Sequence, residues 1–157
     1  MKNIYREKYE GEGERCPFCF WLIDEKPYVQ KYKDWLLVLN EYPYTPYHML
    51  VIPLKHQCSW DLSGYTNYSA KGLLTKYAGK MMKRLGFEGY IILEREGSVS
   101  SKSVSHVHTH IIPVTKKNDI SFNFAEILTP IDLVTMNAEV KEITNRDRYK
   151  RVIGKKP

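Results

Sequence analysis

The sequence predicts an α+β domain: an antiparallel sheet of about five strands with one long helix packed on it. Three observations lead there. Short apolar runs bounded by turn residues recur on both sides of the chain's middle. One stretch between them repeats its apolar residues at helical spacing. The order is strands, helix, strands, without the alternation that builds a parallel sheet.

Tyr28 to Lys31 and Trp35 to Leu39 read as the first two strands, with Lys33-Asp34 as their turn. Asn40 to Pro46 carries two prolines and reads as a loop. His48 to Pro53 is a third strand, closed by proline. Leu73, Leu74, Tyr77, Ala78, Met81, Met82 and Leu85 recur at three- and four-residue steps, which predicts a helix over Asn67–Leu85 stopped by Gly86. The methionine pair reads as core filler. Tyr90 to Leu93 is a fourth strand, Gly97 to Lys102 a polar loop, and His106 to Pro113 a fifth strand. Weaker patterns predict an extended segment over Ser121–Ile127 and a second helix over Leu133–Ile143.

A chain of 157 residues reads as a single domain, 1–157, with a basic tail from about 141. From Lys141 onward seven Lys or Arg face two acids, so +5 of the net +6 sits there. Such a tail is either simply solvated or meets anionic partners, nucleic acid among them. No apolar run approaches the roughly 20 residues of a membrane span, and Met1 to Arg15 has no apolar signal core. A cytoplasmic protein without a membrane partner is expected. Three cysteines are an odd number and argue against a disulfide framework.

The chemistry concentrates in His106-Val107-His108-Thr109-His110-Ile111-Ile112. In a strand, alternate side chains share a face, so three of the chain's five histidines are expected side by side. Histidine serves as nucleophile, acid–base group or metal ligand near neutrality. Cys16-Pro17-Phe18-Cys19 is either half of a zinc site or a redox pair; only fifteen residues precede it, too few for the βαβ context of the redox motif.

These residues resemble the signature of the histidine triad family of nucleotide hydrolases and transferases, His-φ-His-φ-His-φ-φ with φ apolar. Thr109 departs from it mildly. The likeness extends over roughly Cys16 to Pro113, because Leu39-Asn40 through His48 and Pro53 matches the family's strand, loop, histidine, apolar strand and proline. It implies that His108 is a nucleophile toward the α-phosphorus of a nucleotide. His110 would bind the phosphate oxygens, His48 would orient the triad, and Ser103 would donate to a phosphate or leaving-group oxygen. Asn40 would hold the ribose, and Val38 and Leu50 would wall the base, positions equally suited to core packing. A zinc-containing branch implies a structural Zn2+ on Cys16, Cys19, His56 and His106. Family members usually form homodimers. Cys58 falls outside the pattern and receives no role.

The chain also departs from the family. Tyr47 replaces the usual Gly before His48. Arg95 and Lys102 replace neutral amides, and two cations facing the site would favour a more highly charged substrate. Asn118 to Phe124 resembles a stretch of the diadenosine tetraphosphate phosphorylases and related hydrolases, which tilts the expected substrate toward an adenosine polyphosphate. Three competing readings stay open: a phosphoramidate or adenylate hydrolase of the same family, a catalytic metal held by the three histidines, and a non-catalytic nucleotide- or RNA-binding protein.

Overall fold

The protein is described by a computed structural model over residues 16–60, 67–100, 102–114 and 130–153. Five strands form one antiparallel sheet: β1 (Gln30–Tyr32), β2 (Trp35–Leu39), β3 (Met49–Pro53), β4 (Gly89–Glu94) and β5 (Thr109–Val114), in the order β1-β2-β3-β5-β4. The strands expected from the apolar runs are all present. Lys33, with a φ of 52°, makes the tight turn between β1 and β2.

Register decides what each face carries. Leu37, Val51, Thr109 and Glu94 pair across β2, β3, β5 and β4, and the next row holds Val38, Leu50, His110 and Leu93. Rows one residue apart point to opposite faces. Helix α1 (Tyr68–Arg84) crosses all five strands on the first of these faces. Lys71 of α1 pairs with Glu94 there, and a Cβ on Gly79 would run into the Tyr90 hydroxyl. Val38, Leu50 and His110 therefore look away from the helix. Thr109, the non-apolar residue inside the triad, lies on the helix side, where its hydroxyl donates to Glu94 at 2.7 Å.

Helix α1 begins and ends as its sequence requires. The Asn67 side chain accepts the Ala70 N–H at 3.1 Å as an N-cap. At the other end Gly86 takes a φ of 92°, and the N–H groups of Gly86 and Phe87 donate to the carbonyls of Lys83 and Met82. Leu74, Ala78, Met81 and Met82 enter the core, as their spacing predicts, and Ala70 joins them, whereas Leu73 faces outward.

Two expectations need correction. Among the described residues the sheet carries two helices and not one long helix: α2 (Leu133–Ile153) has 21 residues and packs on α1 and β2. The expected second helix thus continues ten residues further, and most of the basic tail is helical. Asp132 supplies its N-cap by accepting from the Val134 and Thr135 N–H groups. The fifth strand starts at Thr109; His106 ends a run of bends, and Val107 and His108 lead into the strand as irregular chain. The Ser121–Ile127 segment and the Asn118–Phe124 stretch lie outside the described residues.

Tyr47, in the place of a family glycine, sits at a φ of 63°. That backbone is strained for a residue with a Cβ. The ring compensates by packing on Phe87 at 5.9 Å, and its hydroxyl donates to Glu139 of α2.

Replacing Asn67 by Ala removes the acceptor for an N–H of the first helical turn, and unfolding in urea should show a loss of about 1 kcal/mol. An unchanged urea midpoint would mean that the cap contributes nothing.

Candidate functional site

The site grows from the ends of β2, β3 and β5 on the face that α1 leaves open. Asn40 follows β2, His48 precedes β3, and His110 is the second residue of β5. The loop between Asn40 and His48 folds back so that the Asn40 N–H donates to the His48 carbonyl at 2.8 Å. It also places Tyr44 over the histidines, its ring stacked on His48 at 5.1 Å and on His110 at 5.8 Å.

Backbone groups fix which nitrogen of each imidazole carries hydrogen. Nδ1 of His48 accepts the Tyr44 N–H at 3.1 Å and lies 3.2 Å from the Asn40 amide nitrogen, which also donates. The His48 proton is thus on Nε2, which donates to Nδ1 of His110 at 3.0 Å. That places the His110 proton on Nε2, a buried atom without a hydrogen-bond partner among the described residues. A buried donor left in this state costs roughly 1–3 kcal/mol and calls for an acceptor.

His108 adopts the opposite tautomer. Its Nδ1–H donates to the carbonyl of His106 at 2.8 Å, which leaves an unprotonated Nε2. The His108 and His110 rings meet edge to face at 4.7 Å. One ring thus offers a lone pair and its neighbour an unspent N–H.

All four of these histidines are held neutral at pH 7. Burial pushes His48 and His106 down to about 3 and His108 to about 4, from an ordinary 6.5. Burial lowers His110 too, and its proximity to His108, His48 and Arg95 adds to the effect, since a second positive charge there would be repelled. Arg95 belongs to this environment: it is buried, its Nη2 donates to the Tyr44 hydroxyl at 3.0 Å, and its charge also weighs on His48 and His108. Lys102 adds a cation near His106 and His108, but its ammonium is anchored to the Cys58 carbonyl at 2.8 Å.

His106 turns aside from its two neighbours. Its Nε2–H donates to the Pro53 carbonyl at 3.0 Å, so Nδ1 carries the lone pair. Nδ1 lies 3.3 Å from Cys16 Sγ and 3.4 Å from Cys19 Sγ, and His56 Nδ1 lies 3.1 Å from Cys19 Sγ. One ligand atom from each of the four residues falls within 4.8 Å of the other three. A tetrahedral zinc with bonds of about 2.0–2.3 Å separates its ligand atoms by roughly 3.3–3.8 Å, so the set fits with small adjustments. In the metal-free protein burial and the neighbouring thiols push Cys19 up to about 12, so a metal must displace its proton on binding.

The structure thus brings together His48, His108, His110, Asn40 and Arg95, and assembles Cys16, Cys19, His56 and His106 as a second group beside them. Val38 and Leu50 share the face of His110 but are buried in the core. Asn40 spends its amide on His48 and on the Tyr42 N–H at 3.1 Å. Ser103 stands half-buried in the bend before the triad, with no side-chain hydrogen bond among the described residues. Sequence reasoning missed Tyr44 and Phe18. Phe18, between the two cysteines, packs edge-on against His106 at 5.7 Å and His108 at 5.2 Å. Its only signal was its place inside the Cys-x-x-Cys motif.

Residues 24–117 match the HIT domain family. An uncharacterized HIT-like protein of Methanocaldococcus jannaschii is 34% identical over 131 residues, spanning 80% of this chain and 98% of that protein. The chain therefore belongs to the histidine triad family. The adenosine 5'-monophosphoramidase of Schizosaccharomyces pombe is 31% identical over 100 residues, 62% of this chain and 73% of that one. A Zn-bound histidine triad family protein from Mycobacterium smegmatis shares the fold with a TM-score of 0.60 at 21% identity, covering 85% of this chain and 96% of that chain. Among the described residues no helix is long and apolar enough to cross a membrane.

The neutral histidines carry a stability consequence. The unfolded chain binds protons at His48 and His110 as pH falls through 6.5, whereas the folded protein binds them only far below. Stability is therefore present above 6.5 and lost on acidification, by up to about 1.4 kcal/mol per histidine per pH unit. With a chelator present, the urea midpoint should fall between pH 7 and 5.5. An unchanged midpoint would contradict neutral burial.

Proposed function

We propose that the protein is a nucleotide hydrolase or nucleotidyl transferase that works through a covalent intermediate on His108. The observation that carries this reading is the unprotonated Nε2 of His108 beside the unspent Nε2–H of His110. The His108 lone pair attacks the α-phosphorus. The P–N bond forms as the bond to the bridging oxygen breaks, and the electron pair leaves with that oxygen. Water or orthophosphate then forms a new P–O bond as the P–N bond breaks; the electron pair returns to Nε2 of His108, and the proton of an attacking water passes to solvent. His110 donates its Nε2–H to a non-bridging oxygen, where charge builds in the transition state. Ser103 donates to a phosphate or leaving-group oxygen. Asn40 retains a second amide hydrogen and a second lone pair for the ribose hydroxyls. Val38 and Leu50, buried on the face of His110, would wall the base from beneath.

The substrate class we favour is a dinucleoside polyphosphate with adenosine. One feature supports it. Arg95, where a neutral amide is usual, adds a cation beside the triad, and Lys102 adds another close by. The phosphoramidase relative favours a second reading, a nucleoside phosphoramidate as substrate. In either case Cys16, Cys19, His56 and His106 would hold a structural zinc. With all four positions filled by protein, it would fix His106, and through the His106 carbonyl the tautomer of His108.

We further propose a homodimer formed across β4. Among the described residues that strand is a sheet edge with no fully buried residue, and Tyr90 and Ile92 are exposed. An edge of this kind readily takes a second strand. A monomer in light scattering at micromolar concentration would exclude it.

His108→Asn should abolish turnover of diadenosine polyphosphates while binding is retained. His110→Asn should lose about 10²–10³ in rate, the cost of one transition-state donor. Arg95→Gln should weaken triphosphate-bridged and longer substrates more than an adenosine phosphoramidate, and added salt should shrink that difference. Near-native turnover in His108→Asn would exclude the covalent route. A wild-type preference for the phosphoramidate would select the second reading.

A further inference from the structure

Cys58 lies outside the four-residue metal set, and the phosphorus chemistry makes no use of it. Its Sγ stands 3.1 Å from Nε2 of His56, while Nδ1 of the same ring faces Cys19 at 3.1 Å. An imidazole that ligates through Nδ1 keeps its proton on Nε2. That N–H then needs an acceptor, and the Cys58 sulfur is in place. The other histidine of the set is arranged alike: His106 presents Nδ1 to the cysteines and gives its Nε2–H to the Pro53 carbonyl.

The residue bearing this sulfur is itself anchored. The Cys58 carbonyl accepts the Lys102 ammonium at 2.8 Å. The preceding Gln57 accepts the Val107 N–H at 2.7 Å and donates through its amide to the Ser59 carbonyl and the Tyr68 hydroxyl. His56 is exposed on the same loop, and its ring meets His106 edge to face at 5.0 Å. A partner on Nε2 adds a second restraint on rotation of that ring about its side-chain bonds.

We propose that Cys58 is a positioning residue of the metal centre, whose sulfur accepts the His56 Nε2–H and aims Nδ1 at the ion held by Cys16, Cys19 and His106. This rests on the metal reading of those four residues. Loss of such an outer partner typically weakens metal binding about 10–100-fold.

The test measures Zn2+ affinity by competition with a chromophoric chelator and counts thiolate ligands from the Co2+ charge-transfer bands. Wild type should bind one ion per chain with two thiolates. Cys58→Ala should bind zinc about 10–100-fold more weakly with its two-thiolate cobalt spectrum intact, and Cys58→Ser, which restores an acceptor, should recover most of the affinity. Unchanged affinity in Cys58→Ala overturns the proposal alone. A thiolate lost from its cobalt spectrum also overturns it, since Cys58 would then be a ligand. A wild-type chain that binds neither ion overturns the metal reading as well.

Discussion

Two backbone hydrogen bonds set the character of the site: the Tyr44 N–H on Nδ1 of His48 and the His106 carbonyl on Nδ1–H of His108. An amide can only donate and a carbonyl can only accept, so neither bond can reverse. The first propagates through His48 to leave a hydrogen on the outer nitrogen of His110. The second leaves that nitrogen bare on His108. Had both chains run the same way, the site would hold two donors or two lone pairs. Neither arrangement can both attack phosphorus and stabilise the oxygens around it.

Burial reinforces these bonds. Enclosure under Tyr44 and Phe18 holds the rings neutral, and a neutral ring has one donor and one acceptor to place. The Cys/His cluster and the buried histidines meet at His106, whose ring faces the cysteines and whose carbonyl faces His108. Anything that shifts His106 therefore reaches His108 through a single hydrogen bond. Phe18 makes a second link, because it sits between the two cysteines and packs on both rings.

Much of this was legible in the sequence. Trp35–Leu39 is observed with the bounds its apolar run predicts, because a strand covered on both faces is an unbroken hydrophobic run. The grouping of Cys16, Cys19, His56 and His106 was legible as a pattern resembling a known branch, and the folded chain brings their ligand atoms together. Less legible was anything depending on tertiary contacts. Alternating histidines read as strand from His106, yet Val107 bonds to Gln57 and not along the ladder, so β5 begins later. The departure at Thr109 became intelligible only with Glu94 opposite it. The Tyr47 substitution makes sense only with Glu139, which lies 92 residues away in sequence. Tyr44 had no signal beyond its place in a proline-flanked loop, since its part depends on both its ring and its backbone N–H.

The central claim is that His108 carries its proton on Nδ1 while His48, His106 and His110 carry theirs on Nε2. Long-range 15N–1H correlation spectra of the imidazole rings at pH 7, with each histidine assigned by substitution, test it most directly. These four rings should be neutral, with His108 alone among them as the Nδ1–H tautomer. A His108 signal of the Nε2–H form, or of an imidazolium, would contradict the account.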